Sequence, residues 1–535
     1  MSSKLRIALA QLNLTVGSID NNLTKHIENY NIAKDKSADL IVFPELSLTG
    51  YPPEDLLLQQ SFLDASEKAL QELTQKVTTT YCIVGHPLKT KDGLFNACSI
   101  LHNGKIIATY KKQMLPNFGV FDEKRYFKKG DAPCIFEINN TKIGIIICQD
   151  LWHQGPMKNT VAKGADIIVS LNASPFEINK HEQRVEVLKT RINDTKTPVV
   201  YVNTIGGQDD LVFDGGSMVM DNNGKIIQLC DFFKESLTFT DFTNHKPNTD
   251  NKSLDVTEPD GRIYQALCLG LKDYLKKNNI KGVIVGLSGG IDSALTLTIA
   301  KDALGAENVH AVLMPSQFTS DISNDDATQL AKNLNVKYDT IPIQPAFETF
   351  KNSLNETLKG EKVDVTEQNI QSRCRCIILM AISNHTGNIV LTTGNRSELA
   401  VGYATLYGDM AGGFSVLKDV SKTLVYKLAK YRNTIDSAIP ERIITRAPTA
   451  ELAPDQKDED SLPPYPILDK ILYHYLNEKL SAKEIIAKGF DSATVEKVIK
   501  LVKNSEFKRR QAPIGVRIDQ IAFGRDRRYP ITSGF

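Results

Sequence analysis

Cysteine is scarce in this chain, eight in 535 residues, which is too thin a supply for a disulfide scaffold. No stretch offers 18 apolar residues free of charge, so no membrane-spanning helix is expected. The opening MSSKLRIALAQLNL lacks a charged head followed by a sustained apolar run, and no signal peptide is read there. A reducing cytoplasm is the expectation, with each thiol by default a small buried hydrophobe. Charge of one sign is also missing. Sixty-four basic residues face 63 acidic ones, a net +1, so neither nucleic acid nor an anionic membrane is expected as a partner. Short basic runs at Lys508–Arg510 and Arg525–Arg528 read, taken alone, as solvated surface.

What is present suits an ordinary globular protein with large cores, 41% hydrophobic and 24% charged. The first half alternates short β-rich runs with amphipathic stretches. Strands are expected at 6–10, 40–43, 82–85, 96–101, 105–110, 142–148, 167–171 and 199–203, with helices at 21–36 and 61–77. That mixture implies layered α/β packing. A Thr-, Asn-, Asp- and Pro-rich stretch at 238–262 breaks the pattern and reads as a linker. The expected division is a first domain over 1–240, a linker over 241–258 and a second domain over 259–535. In the second half a helix at 263–277 precedes strands at 282–287, 309–314, 338–343 and 389–392, with helices between. Such alternation predicts a parallel, doubly wound sheet.

The sharpest motif is GLSGGIDS, Gly286 to Ser293, running from a strand into a helix. Gly286, Gly289 and Gly290 let the backbone approach an anion, and their amides with the helix N-terminus form a phosphate cradle. Leu287 and Ile291 complete the turn, while Ser288 and Ser293 add hydroxyls. No Gly-Lys-Ser/Thr ending is present, which excludes the loop of kinases and GTPases. Asp292 enters the helix beside that cradle. A carboxylate next to phosphates implies a bridging cation, so Mg²⁺ is expected.

The loop resembles the SGGxDS loop of ATP pyrophosphatases, which transfer AMP to a substrate oxygen and release pyrophosphate. LTTGNRSE (391–398), GYATLYGDMAGGF (402–414), QNIQSRCRC (368–376) and RAPTAELAPDQKDEDSLPPY (446–465) are similar to stretches of NAD synthetases, a likeness extending over about 260–528. Asn369 and Arg373, four apart, share one helix face. The resemblance implies ATP held by residues 286–293 with Thr393 at the adenylate, and Mg²⁺ on Asp292 and Glu398. It also implies deamido-NAD on Asn369, Arg373, Glu398 and Lys508, so the basic run at 508 becomes a substrate clamp. The CxC pair Cys374/Cys376 is read as structural, because residues two apart face differently on a helix.

In the first half, Glu45 follows the strand DLIVFP, a lysine pair follows the strand ending at Tyr110, and Cys148 ends the apolar IGIIIC. A Glu, a Lys and a Cys, each at a strand end and in that order, resemble the carbon–nitrogen hydrolase (nitrilase) superfamily over about 4–237, which implies an αββα sandwich. Within that resemblance Glu45 is the base, Cys148 the nucleophile and Lys112 the oxyanion partner. Lys112 is preferred over Lys111 by its spacing from Leu115–Pro116. Phe118, Phe121, Gln149, Ser174 and Lys180 are expected around glutamine. The usual Cys-Glu-Asp-Leu-Trp reads Cys-Gln-Asp-Leu-Trp here, so weaker glutamine binding with an intact nucleophile is expected.

The two resemblances together imply amidation of deamido-NAD to NAD through an adenylated intermediate. Ammonia would come from glutamine through an enclosed channel, and the spent products would be AMP, pyrophosphate and glutamate. A homodimer or higher homo-oligomer built on the second domain is expected. Two alternatives are another amidotransferase with the same loop, and a nucleotide sensor with a retired amidase.

Overall fold

The computed structural model describes residues 3–248, 258–358, 365–453 and 456–534. The chain divides into two compact units, Met1–Thr257 and Glu258–Phe535.

In the first unit, strand Lys4–Gln11 is central to a seven-stranded sheet, and strands Thr141–Ile147, Ile167–Asn172 and Val199–Asn203 are central to a six-stranded one. Period-two alternation sends Leu5, Ile7 and Leu9 to one face, where they pack with Ile143, Ile145 and Val169 of the other sheet. Ala8 and Ala10 point the opposite way, toward Leu23 and Leu70 of helices Ile19–Asp35 and Gln60–Lys76. The outer face of the six-stranded sheet, with Ile146 and Ile168, takes Met157 and Leu188 from helices Gln154–Ala162 and Lys180–Thr195. The layers are therefore α, β, β, α.

The stretch expected to be a linker from 241 begins instead as sheet. Ser236–Thr243 pairs antiparallel with all of Lys4–Gln11, and Lys246–Asn248 pairs back on it. Threonine alternating with Leu237, Phe239 and Asp241 suits a strand because β-branched residues fit the pleat. The remainder of that linker, 249–257, lies outside the described residues, as do 454 and 455 of the motif at 446–465.

The second unit carries a five-stranded parallel sheet in the order Lys337–Thr340, Val309–Leu313, Val283–Gly286, Ile389–Thr392, Phe414–Ser415. The strand expected at 338–343 stops at Thr340, short of Pro342, which has no N–H to donate. Helix Pro259–Lys277 starts earlier than 263, with proline at its first turn. Ile284, Val312 and Val390 pack against Phe347 and Cys374 of helices Gln344–Leu358 and Val365–Thr386. Helix Ile291–Leu304 packs on strands Val283–Gly286 and Val309–Leu313. Because the chain leaves Val283–Gly286 toward neighbours on both sides, a crevice opens at Gly286.

Candidate active sites

In the first unit the site is built at strand ends. Glycine at 85 lets the segment after strand Leu40–Val42 close on its neighbour, since a Cβ there would lie 2.4 Å from the Leu46 nitrogen. Glu45 is thereby held inside, 1% exposed. Beyond strand Lys105–Lys111 the alternation separates the two lysines. Lys111 lies over the Phe95 ring at 4.2 Å, whereas Lys112 is buried, 1% exposed.

The Lys112 Nζ donates to Glu45 Oε1 at 2.6 Å and to both oxygens of Glu123 at 2.8 and 2.9 Å. Asn96 Nδ2 and the Ala173 N–H donate to Glu45 at 2.7 and 3.1 Å, and the Tyr51 hydroxyl donates to Glu123 at 2.9 Å. Burial alone would lower the lysine, but Glu123 and Glu45 hold it above its ordinary value, so it stays charged. Burial and Glu45 push Glu123 up to about 7 against the pull of Lys112. Glu123, Asn96 and Tyr51 are partners that the strand-end pattern did not reveal.

Cys148 begins a 3₁₀ turn in a left-handed backbone, φ 45°. Burial raises its thiol, Glu45 adds to that, and Lys112 with the Ala173 amide opposes it. At neutral pH the thiol therefore keeps its proton and needs a base. Asp150, unassigned by sequence, fixes this turn. Its carboxylate accepts from Ile147 N at 3.0 Å, Met114 N at 2.8 Å, Gln113 N at 3.1 Å and the Tyr110 hydroxyl at 2.8 Å. One side chain thus ties the cysteine turn to the segment just past Lys112.

The expected glutamine residues are more dispersed. Ser174 is buried, its Oγ accepting from Arg184 Nε at 3.1 Å, while Arg184 pairs with Asp214 at 2.8 Å. Lys180 pairs with Glu177 at 3.1 Å over the Trp152 ring. Gln149 Nε2 lies 3.4 Å from His153 Nε2. Phe118 is 59% exposed and meets Phe121 edge-on. Phe121 lines a small cleft with Tyr51, Glu123 and Tyr126, a cleft Phe118 does not reach.

In the second unit a cavity of about 300 Å³ opens at the switch point, lined by every residue of the loop 286–293 and by Thr393 and Glu398. Gly289 has φ +81°, and a Cβ on it would lie 2.3 Å from the Ser323 carbonyl oxygen, so only glycine fits. The Ser288 and Ser293 hydroxyls lie 3.0 Å apart, and Ser293 Oγ donates back to the Gly290 carbonyl at 3.0 Å. Lys422, absent from the sequence reading, bonds the Asp292 carboxylate and lies 3.1 Å from Glu398 Oε1. Its burial is outweighed by these carboxylates, which hold it above its ordinary value. Burial raises Glu398 to about 7, Asp292 adding and Lys422 opposing. Asn395 joins the two acids, donating to Asp292 at 2.9 Å and accepting from Glu398 N at 3.0 Å.

Asn369, Arg373 and Lys508 do not line this cavity. All three brace one loop: Thr405 Oγ1 donates to Asn369 Oδ1 at 2.8 Å, Arg373 Nε donates to the Leu406 carbonyl at 3.3 Å, and Lys508 Nζ donates to the Gly402 and Ala404 carbonyls at 2.8 Å. The face of helix Val365–Thr386 that reaches the cavity carries Ser372, Arg375, Cys376 and Leu379 instead. Cys374 is buried on the sheet side, so the two cysteines diverge. Among the described residues no group of three or more His, Cys, Asp or Glu is arranged to hold a metal ion.

Two family models match the chain, Carbon-nitrogen hydrolase over residues 6–245 and NAD synthase over residues 263–512. A glutamine-dependent NAD(+) synthetase of Acinetobacter baylyi is 47% identical, the match covering 99% of this chain and 98% of that protein. One of Xanthomonas campestris pv. campestris is 46% identical with the same coverage. A solved structure from Acinetobacter baumannii, described as a glutamine-dependent NAD+ synthetase in complex with adenosine diphosphate, superposes with a TM-score of 0.82 at 45% identity, covering 99% of this chain and 98% of that one. With both domain models matched and relatives aligned from end to end, this chain belongs to the family of glutamine-dependent NAD(+) synthetases.

Proposed function

We propose that the chain hydrolyses glutamine in its first unit and spends the ammonia in its second, on deamido-NAD activated by ATP. The observation carrying this reading is the buried set of Glu45, Lys112 and Cys148, whose charges act on one another at three strand ends. A thiol raised by burial needs a base, and Glu45 serves as one. As the sulfur attacks the glutamine carboxamide, Glu45 takes its proton and Lys112 steadies the tetrahedral oxyanion. Glu45 returns that proton to the departing ammonia, and water then cleaves the thioester to glutamate. Ser174, Lys180, Gln149 and the Phe118–Phe121 pair hold the amino acid.

In the second unit the loop 286–293 cradles the terminal phosphates, and Thr393 faces the adenylate. The nicotinate carboxylate is a poor acyl donor until its oxygen carries AMP. It attacks the α-phosphorus, pyrophosphate departs, and ammonia displaces AMP from the carbonyl to give the amide. Lys422 holds the Asp292 and Glu398 carboxylates in place beside the phosphates. Asn369, Arg373, Glu398 and Lys508 position deamido-NAD, three of them through the 402–406 loop they brace. Mg²⁺ fits the chemistry of this corner: Asp292 and Glu398, hard oxygen donors that both reach the Lys422 ammonium, would hold it. When bound it screens the phosphate oxygens.

We also place the protein in the cytoplasm as a homo-oligomer joined through the second unit. Ile377 and Met380 on helix Val365–Thr386, 56% and 38% exposed, suit such a contact. Among the described residues no helix is long and apolar enough to cross a membrane. The test is to mix the protein with Mg²⁺, ATP, deamido-NAD and either glutamine or ammonium. NAD with AMP and pyrophosphate is expected from both. No NAD from either would overturn the reading.

A further inference from the structure

Three cationic side chains line the second unit's cavity among the described residues: Lys422, Arg446 and Arg375. Two are already neutralised. Lys422 sits between Asp292 and Glu398, and Arg446 pairs with Glu451 at 2.8 Å. Arg375 differs. Its Nε donates to the Met314 carbonyl at 3.2 Å, and among the described residues neither terminal nitrogen has an acceptor and no carboxylate stands at ion-pair distance. Burial lowers this guanidinium to about 10, Glu451 and Asp409 opposing only in part. Among the described residues this half-buried guanidinium has no carboxylate at contact distance, and an anion in the cavity would supply the missing counter-charge.

The anchor also places the group. Met314 follows strand Val309–Leu313, and a Cβ added to Gly286 would lie 3.2 Å from the Met314 Cε and 3.3 Å from the Leu379 Cδ1. Leu379 is one helical turn beyond Arg375 on the same face. Arg375 therefore stands beside the start of the 286–293 loop, on the wall formed by helix Val365–Thr386. With Nε engaged, its remaining N–H groups form a fork suited to phosphate oxygens.

We infer that Arg375 is a substrate-contacting residue whose guanidinium binds a phosphate group in the cavity, a role distinct from the loop-bracing contact of Arg373. It rests on the proposed function. The phosphate comes from ATP or from the pyrophosphate of the dinucleotide, and separate titrations distinguish the two.

The experiment compares the unaltered protein with Arg375→Gln and Arg375→Lys, driven by ammonium so that the first unit is bypassed. ATP and deamido-NAD are each varied at saturating levels of the other. A charge-assisted hydrogen bond predicts a rise of about 10- to 100-fold in the KM of whichever substrate supplies the phosphate, with lysine recovering part of it. A selective rise for ATP assigns the phosphate to the nucleotide, and one for deamido-NAD assigns it to the dinucleotide. Both KM values within twofold of the unaltered protein in Arg375→Gln, or in Arg375→Lys where only that variant folds, would overturn the inference. An unaltered protein that forms no AMP or pyrophosphate would instead overturn the function on which it rests, and this inference with it.

Discussion

The two sites solve opposite electrostatic problems. In the first unit Glu45, Lys112 and Cys148 are buried among packed strands, and one ammonium is shared by two carboxylates through hydrogen bonds of 2.6–2.9 Å. Its ammonium is paired before any substrate arrives. In the second unit a cavity of about 300 Å³ holds cations on separate walls, one of them without a counter-ion among the described residues. Attack on a small neutral amide suits a rigid site whose charges are already set. Transfer of a nucleotidyl group needs room, and cations able to meet phosphate charge.

The contrast breaks most sharply at the nucleophile. Cys148→Ala is expected to cut glutamine-driven NAD formation by about 10⁴-fold or more while leaving ammonium-driven formation within about twofold. Asp292→Ala should remove both by about 10²-fold or more, since it strips an acid from the Lys422 cluster. Paired initial rates with each nitrogen source check both variants, and equal losses in Cys148→Ala would mean that the half-reactions are not separable.

A smaller effect probes the closed character of the first site. Glu123 titrates near 7 in the folded chain against 4.5 for the free group. Between those values the folded state holds a proton that the unfolded state has released, so this group's contribution to stability falls as pH rises, by up to about 1.4 kcal/mol per pH unit. Glu123→Gln should flatten that slope between pH 5 and 7 in denaturant titrations and slow glutamine hydrolysis about tenfold. An unchanged slope would mean that Glu123 is ionised throughout. The smallest change expected is Gln149→Glu, which should lower the glutamine KM a few-fold by restoring charge to the substrate's amino end. Steady-state kinetics at fixed ATP would show it, and an unaltered KM would count against that contact.

Sequence and structure part company where partners are distant along the chain. Glu45, Lys112 and Cys148 could be grouped from the sequence because each lies at the end of an expected strand, in the order Glu, Lys, Cys. Asn96, Asp150 and Glu123 could not, although Glu123 is only 11 residues from Lys112. Their roles depend on sheet register and a turn that bring them to Glu45, Met114 and Lys112. In the second unit the loop at 286–293 was plain from its glycines, while Lys422 opens an unmarked helix 130 residues from Asp292. The helix carrying Asn369 and Arg373 was found, but its cavity-facing stripe passes through Ser372, Arg375 and Leu379, one position out of phase. The strand Ser236–Thr243 was missed because its threonines read as loop polarity, when antiparallel pairing with Lys4–Gln11 uses them as pleat.

The central claim is that nitrogen leaves a glutamine amide in one unit and arrives on an adenylated carboxylate in the other. Supplying glutamine labelled with ¹⁵N at the amide, with unlabelled water and no added ammonium, and reading the label in NAD by mass spectrometry tests it most directly. The account predicts one ¹⁵N in each NAD formed and one AMP and one pyrophosphate for each ATP consumed. Unlabelled NAD, or ADP and orthophosphate as the nucleotide products, would contradict it.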